Sequence, residues 1–134
     1  MASSPLLRQD EDDTPREEAH VVEGERASEL LELLEDDYAR RILAALERGP
    51  QPARELVAAC DASRATVYRR LDRLEEFGLV TTDMELHRDG HHRTVYDAAF
   101  RRATVEQVGG TLQVRLVVSA PAPDRSSSPP LSAD

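Results

Sequence analysis

Asp61-Ala62-Ser63-Arg64-Ala65-Thr66-Val67-Tyr68-Arg69-Arg70-Leu71-Asp72-Arg73-Leu74-Glu75-Glu76-Phe77-Gly78 is the stretch that decides the fold of this chain. Ser63 is placed to cap a helix through its hydroxyl oxygen. From Arg64 to Phe77 the apolar residues Val67, Leu71 and Leu74 fall at i, i+4, i+7, one stripe of an amphipathic helix, and Gly78 stops it. At about 100° per residue the opposite side presents Ala65, Tyr68, Arg69 and Asp72, with Thr66 and Arg73 flanking. Upstream, Gln51 to Cys60 reads as a short helix with apolar positions at Leu56, Ala59 and Cys60. The three residues Asp61-Ala62-Ser63 break the two helices apart. A helix with an apolar back and an Arg/Thr/Tyr front, held across a tight turn, is what reading the DNA major groove requires. Residues 63–77 are therefore the expected recognition helix.

Downstream, a hairpin with an Asp89-Gly90 turn supplies a wing. A type I′ turn there sets Met84 opposite Val95 and Asp83 opposite Tyr96. A second hairpin closes on Gly109-Gly110. Its register puts Val105 across from Val114 and Ala103 across from Leu116 on one face, with Thr104–Arg115 and Glu106–Gln113 on the other. That apolar face needs a covering surface, either the core or a partner subunit.

Towards the N-terminus, Leu30, Leu31, Leu33 and Leu34 suggest a short helix packed on two sides. Asp36 can cap the next one, whose Ile42, Leu43 and Leu46 face inward before Gly49-Pro50 ends it. Residues 1–27 are polar and acidic without an apolar period and are expected to be disordered, with order beginning near Ser28. The Pro/Ser-rich residues 119–134 read as a flexible tail. The fold expectation is α+β: a winged helix-turn-helix of three to four helices plus a β-wing over residues 28–98, and an additional C-terminal β-hairpin over 99–118.

The chain has 134 residues, room for one domain of modest core. All 17 basic residues are arginine, against 26 acidic ones, for a net charge of −9. A negative chain facing a polyanion has two explanations. The acid can sit away from the binding face, or the surface is built for concentrated salt, where repulsion from phosphates is screened. A GC-rich genome, which favours Arg codons over Lys, is the bland account. The single cysteine, Cys60, excludes an internal disulfide and fits a reducing, cytoplasmic setting. No apolar run approaches the ~20 residues that span a membrane.

From about Ser28 to Tyr96 the chain resembles the ArsR-like winged helix-turn-helix regulators, particularly the acidic versions from salt-loving archaea. The matching residues are Asp36, then Arg40-Arg41-Ile42-Leu43-Ala44-Ala45-Leu46, Arg54-Glu55-Leu56, and above all Ser63 to Val80, with Gly90 and Tyr96 in the wing. The resemblance implies that Arg64, Thr66, Tyr68 and Arg69 face the groove and that the protein works as a homodimer. Two departures stand out. The cysteine clusters of the metal-sensing members are absent. Where many members dimerise through a C-terminal helix, this chain has a β-hairpin.

Base concentrates in the N-terminal half of the recognition helix and acid in its C-terminal half. A helix dipole prefers the reverse, whereas a helix pointing its N-terminal end into DNA wants this order. Ser63, Arg64, Thr66, Tyr68 and Arg69 are thus the expected base-reading end, and Arg73, Arg88, His91 and Arg93 the expected phosphate contacts. His87, His91 and His92 with Asp89 cluster at the wing tip. They read as a polar turn brushing phosphates; a zinc site, with His87 opposite His92, lacks a fourth ligand. Cys60 reads as a buried packing thiol. No nucleophile–base pair or phosphate loop marks an enzyme, and no cofactor is implied. The expected function is a sequence-specific DNA-binding transcriptional regulator whose partners are double-stranded DNA and a second copy. The rival is a winged-helix protein-docking module without DNA contact, favoured by the charge of residues 51–101, where eight Arg stand against nine Asp/Glu.

Overall fold

The computed structural model describes residues 16–86 and 88–120. In chain order the elements are β1 (Glu17–Glu23), α1 (Gly24–Glu35), α2 (Asp37–Leu46), α3 (Ala53–Cys60), α4 (Arg64–Glu76), β2 (Val80–Leu86), β3 (His92–Ala98), β4 (Phe100–Val108) and β5 (Thr111–Ser119). The molecule is a winged helix-turn-helix carrying additional C-terminal strands, as the apolar spacing and turn residues require.

The helical core forms because each helix supplies one apolar stripe to a common centre. Ala27, Leu30 and Leu33 come from α1, Ile42 and Leu46 from α2, Leu56 and Cys60 from α3, and Val67, Leu71 and Leu74 from α4. Leu43 is only half-buried, and Ala59, expected inward, is exposed. On an eight-residue helix the stripe is one residue wide, and Leu56 with Cys60 at i, i+4 already fills it. Asp36 caps α2 as expected, accepting a hydrogen bond from the Ala39 backbone N–H at 2.8 Å. The turn between α3 and α4 is tightened by Asp61, which adopts the left-handed region (φ +53°) at the end of α3. Gly78 ends α4 with φ +77°, and the Leu79 N–H reaches back to the Leu74 carbonyl at 2.9 Å.

Two small sheets flank the helices. In one, β2 pairs antiparallel with β3, and Gln51 adds a two-way backbone bridge to Tyr96 on the far side of β3. The other has the order β1-β5-β4. Leu79 and Ala99 join the two: the Ala99 and Phe100 N–H groups donate to the Leu79 carbonyl, and the Ser119 N–H donates to the Ala99 carbonyl at 2.7 Å.

The Gly109-Gly110 hairpin keeps the expected register throughout, with Val105 opposite Val114 and Ala103 opposite Leu116. Both glycines have positive φ, 55° and 81°, which a two-residue type I′ connection needs. Val114, Leu116 and Val118 of its inward face are buried, and β5 packs on α1.

Two expectations are corrected. Order begins well before Ser28: Glu17–Glu23 pairs with β5 from Ser119 to Gln113, with Val22 opposite Val114, and Gly24 to Ala27 open α1. A short polar strand carries no apolar signal when what secures it is backbone pairing to an edge formed by residues ninety positions away. The expected disorder of residues 1–15 and 121–134 lies outside the described residues. The wing register is the second correction. Asp83 faces Val95 and Met84 faces Thr94, one residue off the expected pairing. The last pair of the ladder is Leu86–His92. Gly90 has φ +91°, but Asp89 does not enter the positive region that a type I′ turn demands of both central residues. Instead the Asp89 carboxylate accepts from the His91 N–H at 3.0 Å, a side-chain turn.

Candidate nucleic-acid interface

The helix α4 is held by three links. Its apolar stripe sinks Val67, Leu71 and Leu74 completely. Ser63 caps it, accepting from the Thr66 N–H at 3.1 Å while its own hydroxyl donates to Thr66 Oγ1 at 3.0 Å. Arg70 then ties it to the start of α2: Nε and Nη2 donate to the two carboxylate oxygens of Asp36 at 2.8 and 3.1 Å. That pair is half-buried. The Arg70 guanidinium lowers the Asp36 carboxyl below the usual range despite the opposing cost of burial, and Asp36 raises Arg70 in turn. A planar guanidinium gripping a carboxylate with two bonds sets an angle as well as a distance. The Asp36–Arg70 clamp therefore fixes the roll of α4 about its own axis, and with it the direction of the exposed face.

That face carries Ala65, Tyr68, Arg69 and Asp72, all exposed, with Arg64 exposed at the N-terminal end. Arg64 and Arg69 have no ion-pair partner among the described residues. The expected phosphate contacts differ from them. Arg73 is committed to Glu76 at 2.7 Å and Glu29 at 3.7 Å, and with Arg26 it flanks the Phe77 ring. It lines a shallow acidic depression with Asp72, Glu75 and Glu76. Arg93 is bound to Glu85 at 3.1 Å. His91 Nδ1 lies 3.3 Å from Asp89 on an exposed loop, and Arg88 is exposed.

Tyr68, His91 and Arg93 converge on a groove of about 480 Å³ between the start of α3, the front of α4 and the wing. Arg54 and Tyr96 share its walls, and the sequence reading assigned neither a role. Arg54 lies in the first turn of α3, a signal available from the helix boundary. Tyr96 is placed by its bridge to Gln51, which no local pattern announces. Burial pushes the Tyr96 hydroxyl up, and Tyr68, Glu75 and Asp72 add to the rise, so it stays a neutral hydrogen-bonding group at physiological pH. Arg64, Thr66 and Arg69 lie outside the groove walls, further along the exposed face. Among the described residues no three His, Cys, Asp or Glu side chains are arranged to hold a metal ion. His92 faces Leu86 across the wing, not His87, which lies outside the described residues.

Residues 34–83 match a family model described as a helix-turn-helix domain. The span runs from the end of α1 through α2, α3 and α4 into β2. No curated protein and no solved structure matches the chain.

Within the matched span Cys60 is buried, and burial pushes its thiol up, the setting of a packing residue and not a nucleophile. No helix among the described residues is long and apolar enough to cross a membrane.

Proposed function

We propose that the protein is a cytoplasmic, sequence-specific DNA-binding transcriptional regulator of the ArsR-like kind, working as a homodimer with α4 in the major groove. The observation that carries the reading is the state of Arg64 and Arg69. Both project from the exposed face of a clamped helix, and neither is spent on an ion pair among the described residues. Two free guanidiniums on the front of a rigid helix are donors waiting for an acceptor, and guanine O6 and N7 fit their fork. Arg64, Thr66, Tyr68 and Arg69 then read base edges. Arg88 and His91, with Arg54 at the start of α3, hold phosphates on either side. Arg73 and Arg93 reach phosphate only by leaving Glu76 and Glu85, an exchange that costs little at the surface.

The test is duplex binding in molar potassium chloride, on sites found by genome-wide mapping. Retention of a cognate duplex over a scrambled one supports the reading. The rival, a protein-docking winged helix, draws on Met84 and Leu86, which stand exposed on one face of the wing. It predicts no discrimination between the duplexes at any salt concentration.

A further inference from the structure

We propose that the outer edge of β4 pairs with β4 of a second copy, antiparallel about Thr104, to make one six-stranded sheet across the homodimer. The inference rests on the dimeric reading above and adds where the two copies meet. β4 is an edge: in the order β1-β5-β4 it has, among the described residues, a neighbour on one side only. From Ala103 to Val108 it carries few of the usual protections against edge pairing, Glu106 being its one charged side chain. It has no proline or lysine, and its one irregularity is confined to Phe100–Arg102.

The outward backbone groups follow from the hairpin. A two-residue Gly109-Gly110 turn makes Val108 and Thr111 a hydrogen-bonded pair. Alternation then spends the N–H and C=O of Thr104 on β5 and turns those of Ala103 and Val105 outward.

Side chains decide the partner. Antiparallel self-pairing about Thr104 sets Arg102 opposite Glu106 twice by symmetry, Ala103 opposite Val105 twice, and Thr104 against its own copy. Opposite charges, small against branched apolar, and Thr–Thr are each favourable cross-strand pairs. Val105 explains itself in this arrangement. It lies in one row with Val22 and the fully buried Val114, yet it is 49% exposed, and the partner's Ala103 would cover it. The other edge of the sheet fails the same test, because self-pairing of β1 about His20 sets Glu17 against Glu23. The self-complementary edge is β4, and a second copy is the partner that fits it.

Two experiments on the full chain test this. Thr104→Cys places two thiols across a non-hydrogen-bonded pair, where Cα atoms are about 4.5 Å apart, within reach of a disulfide. Mild oxidation is expected to give a covalent dimer with Thr104→Cys and none with Val21→Cys on β1. Cross-linking at Val21 in place of Thr104 overturns the proposal. In the second experiment, sedimentation equilibrium at the lowest salt that keeps the chain folded compares Arg102→Glu, Glu106→Arg and the double exchange. Each single change makes both symmetry-related pairs repulsive and is expected to weaken dimerisation about tenfold or more, with the double exchange recovering it. Circular dichroism checks that each variant is folded. A wild-type chain that is monomeric while it binds its duplex refutes the β4 interface and leaves the DNA reading standing. A dimer with these properties that ignores DNA does the reverse.

Discussion

Asp36 concentrates two jobs in one side chain, the cap of α2 and the anchor of Arg70. Separating them is straightforward, because asparagine caps almost as well as aspartate but cannot pair with a guanidinium. Asp36→Ala is expected to lose roughly 1–3 kcal/mol, from the missing cap and a half-buried guanidinium left without its acceptor. Asp36→Asn loses less. The pH dependence has a definite sign. The folded carboxyl is held below its ordinary value, so its contribution is complete above the ordinary carboxylate range and is lost as pH falls through the lowered folded value. The melting-temperature advantage of the wild type over Asp36→Asn should therefore be constant near neutrality and shrink below about pH 4. An advantage independent of pH would mean that the clamp contributes packing alone. Arg69, by contrast, makes no hydrogen bond or ion pair among the described residues. Arg69→Ala is expected to melt like the wild type and to lose about 1–3 kcal/mol of discrimination between cognate and scrambled duplexes, one guanine contact. Unchanged discrimination removes Arg69 from the interface.

Among the elements, α4 carries the proposed DNA-reading face on one side and the buried stripe on the other, and the two separate by substitution. Leu71 is completely buried in the stripe that meets α2 and α3. Leu71→Ala should cost roughly 2–5 kcal/mol through the cavity it leaves, a loss read directly in thermal melts. The strand β1 makes a complementary case. It adds little apolar burial beyond Val22, but it satisfies the outer edge of β5 along seven residue pairs. A chain lacking residues 1–23 leaves that edge open and exposes the flank of Val114, and it should melt ~5 °C or more below the full chain. Equal melting temperatures would show that pairing to β5 contributes nothing to stability.

The whole molecule carries a charge of −9 towards a polyanion. The acid is not segregated from the proposed interface. Asp72, Glu75 and Glu76 lie on α4, and Asp83 and Glu85 lie on the wing. An ordinary regulator loses affinity as salt rises, because each neutralised phosphate releases counterions. Here the approach of acidic groups to DNA demands cation uptake, which opposes that release. Affinity for one cognate duplex is expected to stay flat or rise with potassium chloride over a range where a basic regulator dissociates. The fold should gain stability over the same range as repulsion among carboxylates is screened. A steep conventional loss of affinity, with full folding in dilute buffer, would assign the missing lysines to codon usage.

What could be read from the residues alone was local. The stripe of α4, the Ser63 and Asp36 caps, the Gly78 stop and the Gly109-Gly110 register each depend on neighbours within a few positions, and each stands in the fold as read. The front of α4 was legible for the same reason, since a helix with a known buried face has a known opposite one. The wing register was not, because an Asp-Gly pair permits more than one turn, and here the Asp89 side chain accepts from the His91 N–H and the pairing shifts by one residue. Three features needed the assembled chain. β1 exists only because β5 offers an edge, and a polar strand bears no mark of its partner. The Asp36–Arg70 clamp spans thirty-four positions, so neither residue signals the other. The commitments of Arg73 to Glu29 and of Tyr96 to Gln51 likewise arise only where separate elements meet. Periodicity records which way a residue faces; what it faces is set by packing between elements far apart in the chain.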